Sequence, residues 1–196
     1  MMKRQFSTAV SDFVLALSAL WGFRMLHEDP HSEHQFGKWW FMLVTMASVL
    51  GVVRFGALLP SYRATVVRYH TNFSWLCRAI GIPCLAAEIC RTYKFVTASQ
   101  LFLLSAVTTF INSSLKSRHK DQLTDMVSTA SVVAILALSV TGGNTMHIAA
   151  GIFFIMSALV GSEGYLHLLN LPCVDVFHYL LVAVNYCVAW GFKTEV

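Results

Sequence analysis

Charge is the scarcest commodity in this 196-residue chain: only 12% of its residues are Asp, Glu, Lys or Arg, about half the roughly 25% of an ordinary soluble domain. That shortage excludes a soluble enzyme and a disordered chain. The basic residues are few and spread out, which excludes a nucleic-acid-binding surface. Proline is scarce, with four residues, and Cys77, Cys84, Cys90, Cys173 and Cys187 contain no Cys-x-x-Cys pair. A disulfide-stapled secreted domain, a redox motif and a zinc finger are therefore unsupported, and a cysteine inside an apolar segment behaves as a small hydrophobe. Internal repeats, low-complexity tracts and linkers are also missing.

What is present is apolar sequence, 56% of the chain. A membrane-spanning helix needs about 20 predominantly apolar residues, and such runs tile nearly the whole length. The pattern predicts an all-α integral membrane protein, a single bundle of about seven transmembrane helices joined by short loops. The spans are expected at 6–26, 36–59, 72–90, 95–115, 123–140, 146–160 and 172–191. Met1-Met2-Lys3-Arg4 followed by an apolar run mimics a signal peptide, but Asp12 interrupts the apolar region and no small-x-small cleavage site follows. The run is read as a retained first span. Trp39 and Trp40 are placed as interfacial anchors, Pro83 is expected to kink the third span, and Gly142-Gly143 ends the fifth.

With an odd number of spans, Lys3, Arg4, Arg63, Arg68, Lys116, Arg118 and Lys120 share one side. Arg24, Lys38, Arg91, Lys94 and Lys193 share the other. The positive-inside rule then tips the N-terminus toward the cytosol, in an endomembrane or the plasma membrane. The Asn-x-Ser sequons at Asn72 and Asn112 lie too near helix ends to be good glycosylation acceptors.

Ionisable residues at helix depth carry the functional information, because each costs roughly 2.5–3.5 kcal/mol to insert and needs a partner or a purpose. Asp12, Arg54, Arg78, Glu88 and Asp175 form the expected buried charge network, with Asp125 in the fifth span. Arg54 is expected to pair with Asp12 or Asp175. In the seventh span Asp175 and His178 are three apart and share a helical face, with Asn185 on the same stripe. Glu163 and His167 are four apart upstream, and His147 opens the sixth span. Such a group can bind a metal, relay protons or simply hydrogen-bond. For catalysis, Asp175 and His178 would have to converge with His147 or His167. His27, His31 and His34 lie in a loop whose Pro30 argues against one helical face, so a solvated loop is expected. Thr194-Glu195-Val196 matches the carboxy-terminal pattern that PDZ grooves take by strand addition, through Thr194 and Val196.

Two stretches carry a resemblance. Thr8-Ala9-Val10-Ser11-Asp12-Phe13-Val14-Leu15-Ala16-Leu17 and Leu50-Gly51-Val52-Val53-Arg54-Phe55-Gly56 resemble multi-pass membrane proteins of the transmembrane protein 276 type. This resemblance covers mainly the first 60 residues and implies no activity. The seven-span layout is more distantly similar to the alkaline ceramidase and progestin-receptor superfamily of membrane metal hydrolases. That similarity implies a zinc site with a histidine closing the second span and a His-x-x-x-His pair in the seventh. Here Asp175-Val176-Phe177-His178 resembles the second half of the pair, while Val174 stands at its first histidine and Arg54 at the second-span one. A guanidinium stays protonated and cannot ligate zinc, so no metal and no cofactor are expected.

Three functions remain open from the sequence. The leading one is a non-catalytic multi-pass protein acting through lipid or protein partners. The second is a lipid-modifying hydrolase using Asp175, His178 and His147. The third is a small-solute carrier, which needs helices broken at the midplane, for which Gly81 and Pro83 are the candidate break.

Overall fold

In a computed structural model, residues 5–28, 34–57, 60–112, 117–161, 163–166 and 171–194 are described. The fold is helical. α1 spans Phe6–Glu28 and α2 Gln35–Phe55; a short 3₁₀ turn, Pro60–Tyr62, leads into α3, Arg63–Leu76. A π-helical stretch, Cys77–Gly81, joins α3 to α4, Ile82–Thr92, and α5 is Val96–Ile111. Then follow α6 (Ser117–Gly142), α7 (Thr145–Val160) and α8 (Cys173–Lys193). Before α8, Tyr165–Leu166 and Leu171–Pro172 form a two-stranded antiparallel ribbon, Tyr165 opposite Pro172.

Among the described residues, five helical stretches are long and apolar enough to cross a membrane: Phe6–Glu28, Gln35–Phe55, Arg63–Thr92, His119–Gly142 and Cys173–Lys193. α5 and α7 are apolar but have 16 residues each, about 24 Å at 1.5 Å per residue. All seven expected spans coincide with helical segments, and their edges move. α2 stops at Phe55 rather than residue 59, where Gly56 ends the helix and Ala57 takes a left-handed φ of 51°. The third segment begins at Arg63, nine residues before the apolar run. An α-helix satisfies its own backbone wherever it lies, so it continues beyond the hydrophobic part. For the same reason α6 starts at Ser117 rather than residue 123.

Pro83 does not break the third segment. It has no N–H to offer the carbonyl four residues earlier, and the chain absorbs this in the five-residue π stretch immediately upstream. The rod stays helical through Gly81 and Pro83, so the broken helix that a carrier would need is not found there.

α1, α2, α4, α6, α7 and α8 pack as a closed ring in that spatial order, and α5 lies outside against α4. The ring interior is filled by Ala19, Trp40, Phe41, Leu85, Ile89, Ile135, Phe154, Val184 and Val188, all buried. Trp40, expected at the interface, is in this core. Its edge meets Phe154 at 5.2 Å between centroids, whereas Trp39 is exposed. Small residues permit close approach. A side chain at Gly22 would collide with the Phe41 ring, and one at Gly142 with the Tyr93 ring.

Candidate functional site: a buried acid–histidine centre at one end of the bundle

The starts of α1, α3 and α8 and the end of α2 share one end of the bundle, and their polar residues meet inside it. Ser11 and Asp12 come from α1, Asp175 and His178 from the first two turns of α8. Asp175 lies in the first turn of its helix, where the backbone dipole favours a carboxylate. The four residues are 0%, 1%, 1% and 7% exposed.

Ser11 is the hub. Its hydroxyl lies 2.9 Å from His178 Nδ1, 3.3 Å from Asp175 Oδ1 and 3.0 Å from the Thr8 carbonyl. On its other side His178 approaches Asp12, with Nε2 3.6 Å from Oδ1. One hydroxyl proton therefore has three acceptors in reach. When it goes to His178 Nδ1, the imidazole proton sits on Nε2 and faces Asp12. When it goes to Asp175, Nδ1–H donates back to Ser11. The centre can thus hold its protons in two arrangements without moving a heavy atom.

α2 forms the wall behind Asp12. Gly51 lies against the carboxylate so closely that a Cβ there would overlap it. Arg54, three residues on, sends Nη1 to His70 Nδ1 on α3 at 2.9 Å. A guanidinium only donates, so His70 Nδ1 accepts and the ring proton is on Nε2. Phe55 completes this corner, its ring face under Arg54 and its plane nearly perpendicular to the His70 ring. The expected ion pair of Arg54 with Asp12 or Asp175 is absent among the described residues, and Nη1 turns to His70 instead.

The expected single charge network is in fact three separate arrangements. Glu88 lies at the opposite end, where Oε2 accepts from the backbone N–H of Phe36 at 2.7 Å and of Gly37 at 3.3 Å, with His34 Nδ1 3.4 Å from Oε1. It satisfies the first-turn amides of α2 from another helix. Arg78 and Asp125 pair at 2.8 Å on the outside, with side chains 48% and 60% exposed. They border Trp75, whose indole donates to Thr124 Oγ1 at 3.0 Å beneath Lys120. Asn185 belongs to neither centre. It accepts from Trp40 Nε1 and donates to Ser18 Oγ, each at 2.9 Å, tying α1, α2 and α8 at mid-depth.

His147 does not join Asp175 and His178. It is buried against Phe192, 4.8 Å between ring centroids, near the far end of α8. Phe192 is fourteen residues beyond His178, about 21 Å along the helix. His167, His31 and Val196 lie outside the described residues. His27 stacks on Phe23, while His34 packs at a tilt against Phe192, so each of these histidines has its own aromatic partner. Thr194 bonds back to the carbonyls of Trp190 and Gly191 and closes α8. No group of three or more His, Cys, Asp or Glu arranged to hold a metal occurs among the described residues.

Ser11 and His70 are the members that sequence reading left without a role. Ser11 adjoins Asp12 within an apolar run, a faint signal. His70 stands in a polar stretch that looks like a loop until α3 is seen to run through it.

Comparisons with protein families, curated proteins and solved structures find no match for the chain.

Proposed function

We propose that the chain is a seven-span membrane protein with a cytosolic N-terminus, of the transmembrane protein 276 type. In this reading α5 and α7 cross as short spans, and the protein acts by binding the polar part of a lipid at the Ser11–Asp12–Asp175–His178 centre. One observation carries it. Thr8 Oγ1, Asp12 Oδ2, Asp175 Oδ2 and Arg54 Nε are all buried polar atoms without a hydrogen-bond partner, and all belong to this one centre and its wall. A purely structural clamp satisfies its polar groups, because each unsatisfied one costs about 1–3 kcal/mol. Unmet donors and acceptors together select a neutral hydroxyl- or amide-bearing group. A bare cation would face Arg54, and a bare anion two carboxylates.

The test is the lipid that travels with the protein. Lipids extracted after purification in mild detergent are expected to be enriched in monoacylglycerol or ceramide over phosphatidylcholine. Thr8→Val and Asp12→Asn are expected to abolish the enrichment. A wild-type lipid profile equal to that of the bulk membrane overturns the reading.

A second reading, a lipid hydrolase, is favoured by the order Asp12–His178–Ser11, which is that of an acid, a base and a nucleophile. A fluorophosphonate probe separates the two. Labelling lost in Ser11→Ala supports hydrolysis, and an unlabelled protein that still carries its lipid supports binding alone.

A further inference from the structure

The opposite end of the bundle holds a cavity of about 300 Å³ between the ends of α1 and α8 and the start of α2, the lower limit of ordinary ligand sites. Its floor is apolar, formed by Leu26, Ala189 and Phe192, and its rim carries Glu28, His34 and Lys193. Glu28 is already neutralised by Arg24 at 2.6 Å. His34 engages Glu88 through Nδ1, which leaves Nε2. Lys193 has no acidic partner among the described residues, and its ammonium stands 5.2 Å from the Trp190 ring centroid. The rim therefore presents the Lys193 ammonium over an apolar floor.

A second feature leads to the same place. Along the outer α1–α8 seam, Trp21 stacks on Tyr186 with centroids 5.5 Å apart and planes within 10°, and Tyr186 meets Trp190 at 6.2 Å. Trp21 and Tyr186 are exposed on the outside of the bundle. On α8, Tyr186, Trp190 and Lys193 follow one stripe; on α1, Trp21, Met25 and Glu28 do the same. An aromatic track thus runs from the mid-depth, lipid-facing surface to the cationic rim. The indole Nε1 of Trp190, on that track, makes no hydrogen bond.

We propose that this seam binds an anionic phospholipid, its phosphate held by Lys193 and its acyl chain lying along Trp21 and Tyr186. Rings flatten the seam into a surface that a hydrocarbon chain covers. The unmatched ammonium at its interfacial end selects a negative head over a zwitterionic one. This site is independent of the polar centre at the other end.

The test uses the full chain in mixed micelles, with tryptophan quenching by brominated-chain phosphatidic acid compared with brominated-chain phosphatidylcholine. One lysine near an anionic head corresponds to about a fivefold preference, which is the expected advantage of phosphatidic acid. Lys193→Gln is expected to abolish the preference. Lys94→Gln, which removes an equal charge from the same end of the bundle, is expected to keep it. Equal quenching by the two lipids, or a preference untouched by Lys193→Gln, overturns the proposal. Loss of the preference on adding millimolar inorganic phosphate also overturns it, because the site would then take free phosphate rather than a lipid.

Discussion

The carboxylate of Asp12 rests directly on the backbone of Gly51, with no room between α1 and α2 for a Cβ. This contact explains how an acid can be buried in the first span. Glycine lets the two helices close over it, and His178 reaches it from the other side. Gly51→Ala must push the carboxylate off its seat or separate the helices. Overpacking of this kind costs typically about 1–3 kcal/mol. Thermal unfolding in detergent is expected to show a clear loss, larger than for Gly143→Ala, where no neighbour lies within 4 Å, although its φ of 72° adds some strain of its own.

Glu88 is expected to be the most sensitive acid for stability at the far end. Removing it leaves the Phe36 and Gly37 amides without acceptors inside the bundle. An unsatisfied buried donor costs about 1–3 kcal/mol, so Glu88→Leu should lower the unfolding midpoint substantially. Glu88→Gln keeps one carbonyl acceptor and should recover part of the loss. Equal effects of the two substitutions would show that the amides are not what Glu88 serves.

Arg78 and Asp125 should behave differently, although their ion pair is short. Both side chains are about half exposed or more, and a pair that water reaches contributes at most about 1 kcal/mol. Arg78→Gln and Asp125→Asn are each expected to leave the unfolding midpoint nearly unchanged. The same measurement on Asn185→Leu should show a loss, because Trp40 Nε1 and Ser18 Oγ lose their partner in the core.

In the proposed seven-span reading the two ends of the chain lie on opposite faces. Epitope tags at Met1 and Val196, detected with and without membrane permeabilisation, are expected on different sides. Tags on one side would mean that α5 or α7, at 16 residues each, does not cross.

Composition and hydropathy were sufficient for the helical class and for segments long and apolar enough to cross a membrane. Long apolar runs with few charges favour helices, because a helix satisfies its backbone within one segment. The positions of the helices were legible for the same reason, since hydrophobic length is a local property. Their ends were less legible, as at Arg63 and Ser117, because a helix that bonds its own backbone does not need apolar residues to continue. Asp12, Asp175 and His178 stood out as costly residues at depth, and Asp175 with His178 could be paired from their spacing on one helix.

Their partners could not be read in the same way. Which helix lies beside which is settled by packing among residues far apart in the chain, such as Gly51 under Asp12 and Phe154 against Trp40. Only that packing sends Arg54 to His70 instead of a carboxylate, turns Glu88 into a cap for α2, and puts His147 at the other end of α8 from His178. A side chain's electrostatic demand is written in its type, but the group that meets it is chosen by the closure of the ring.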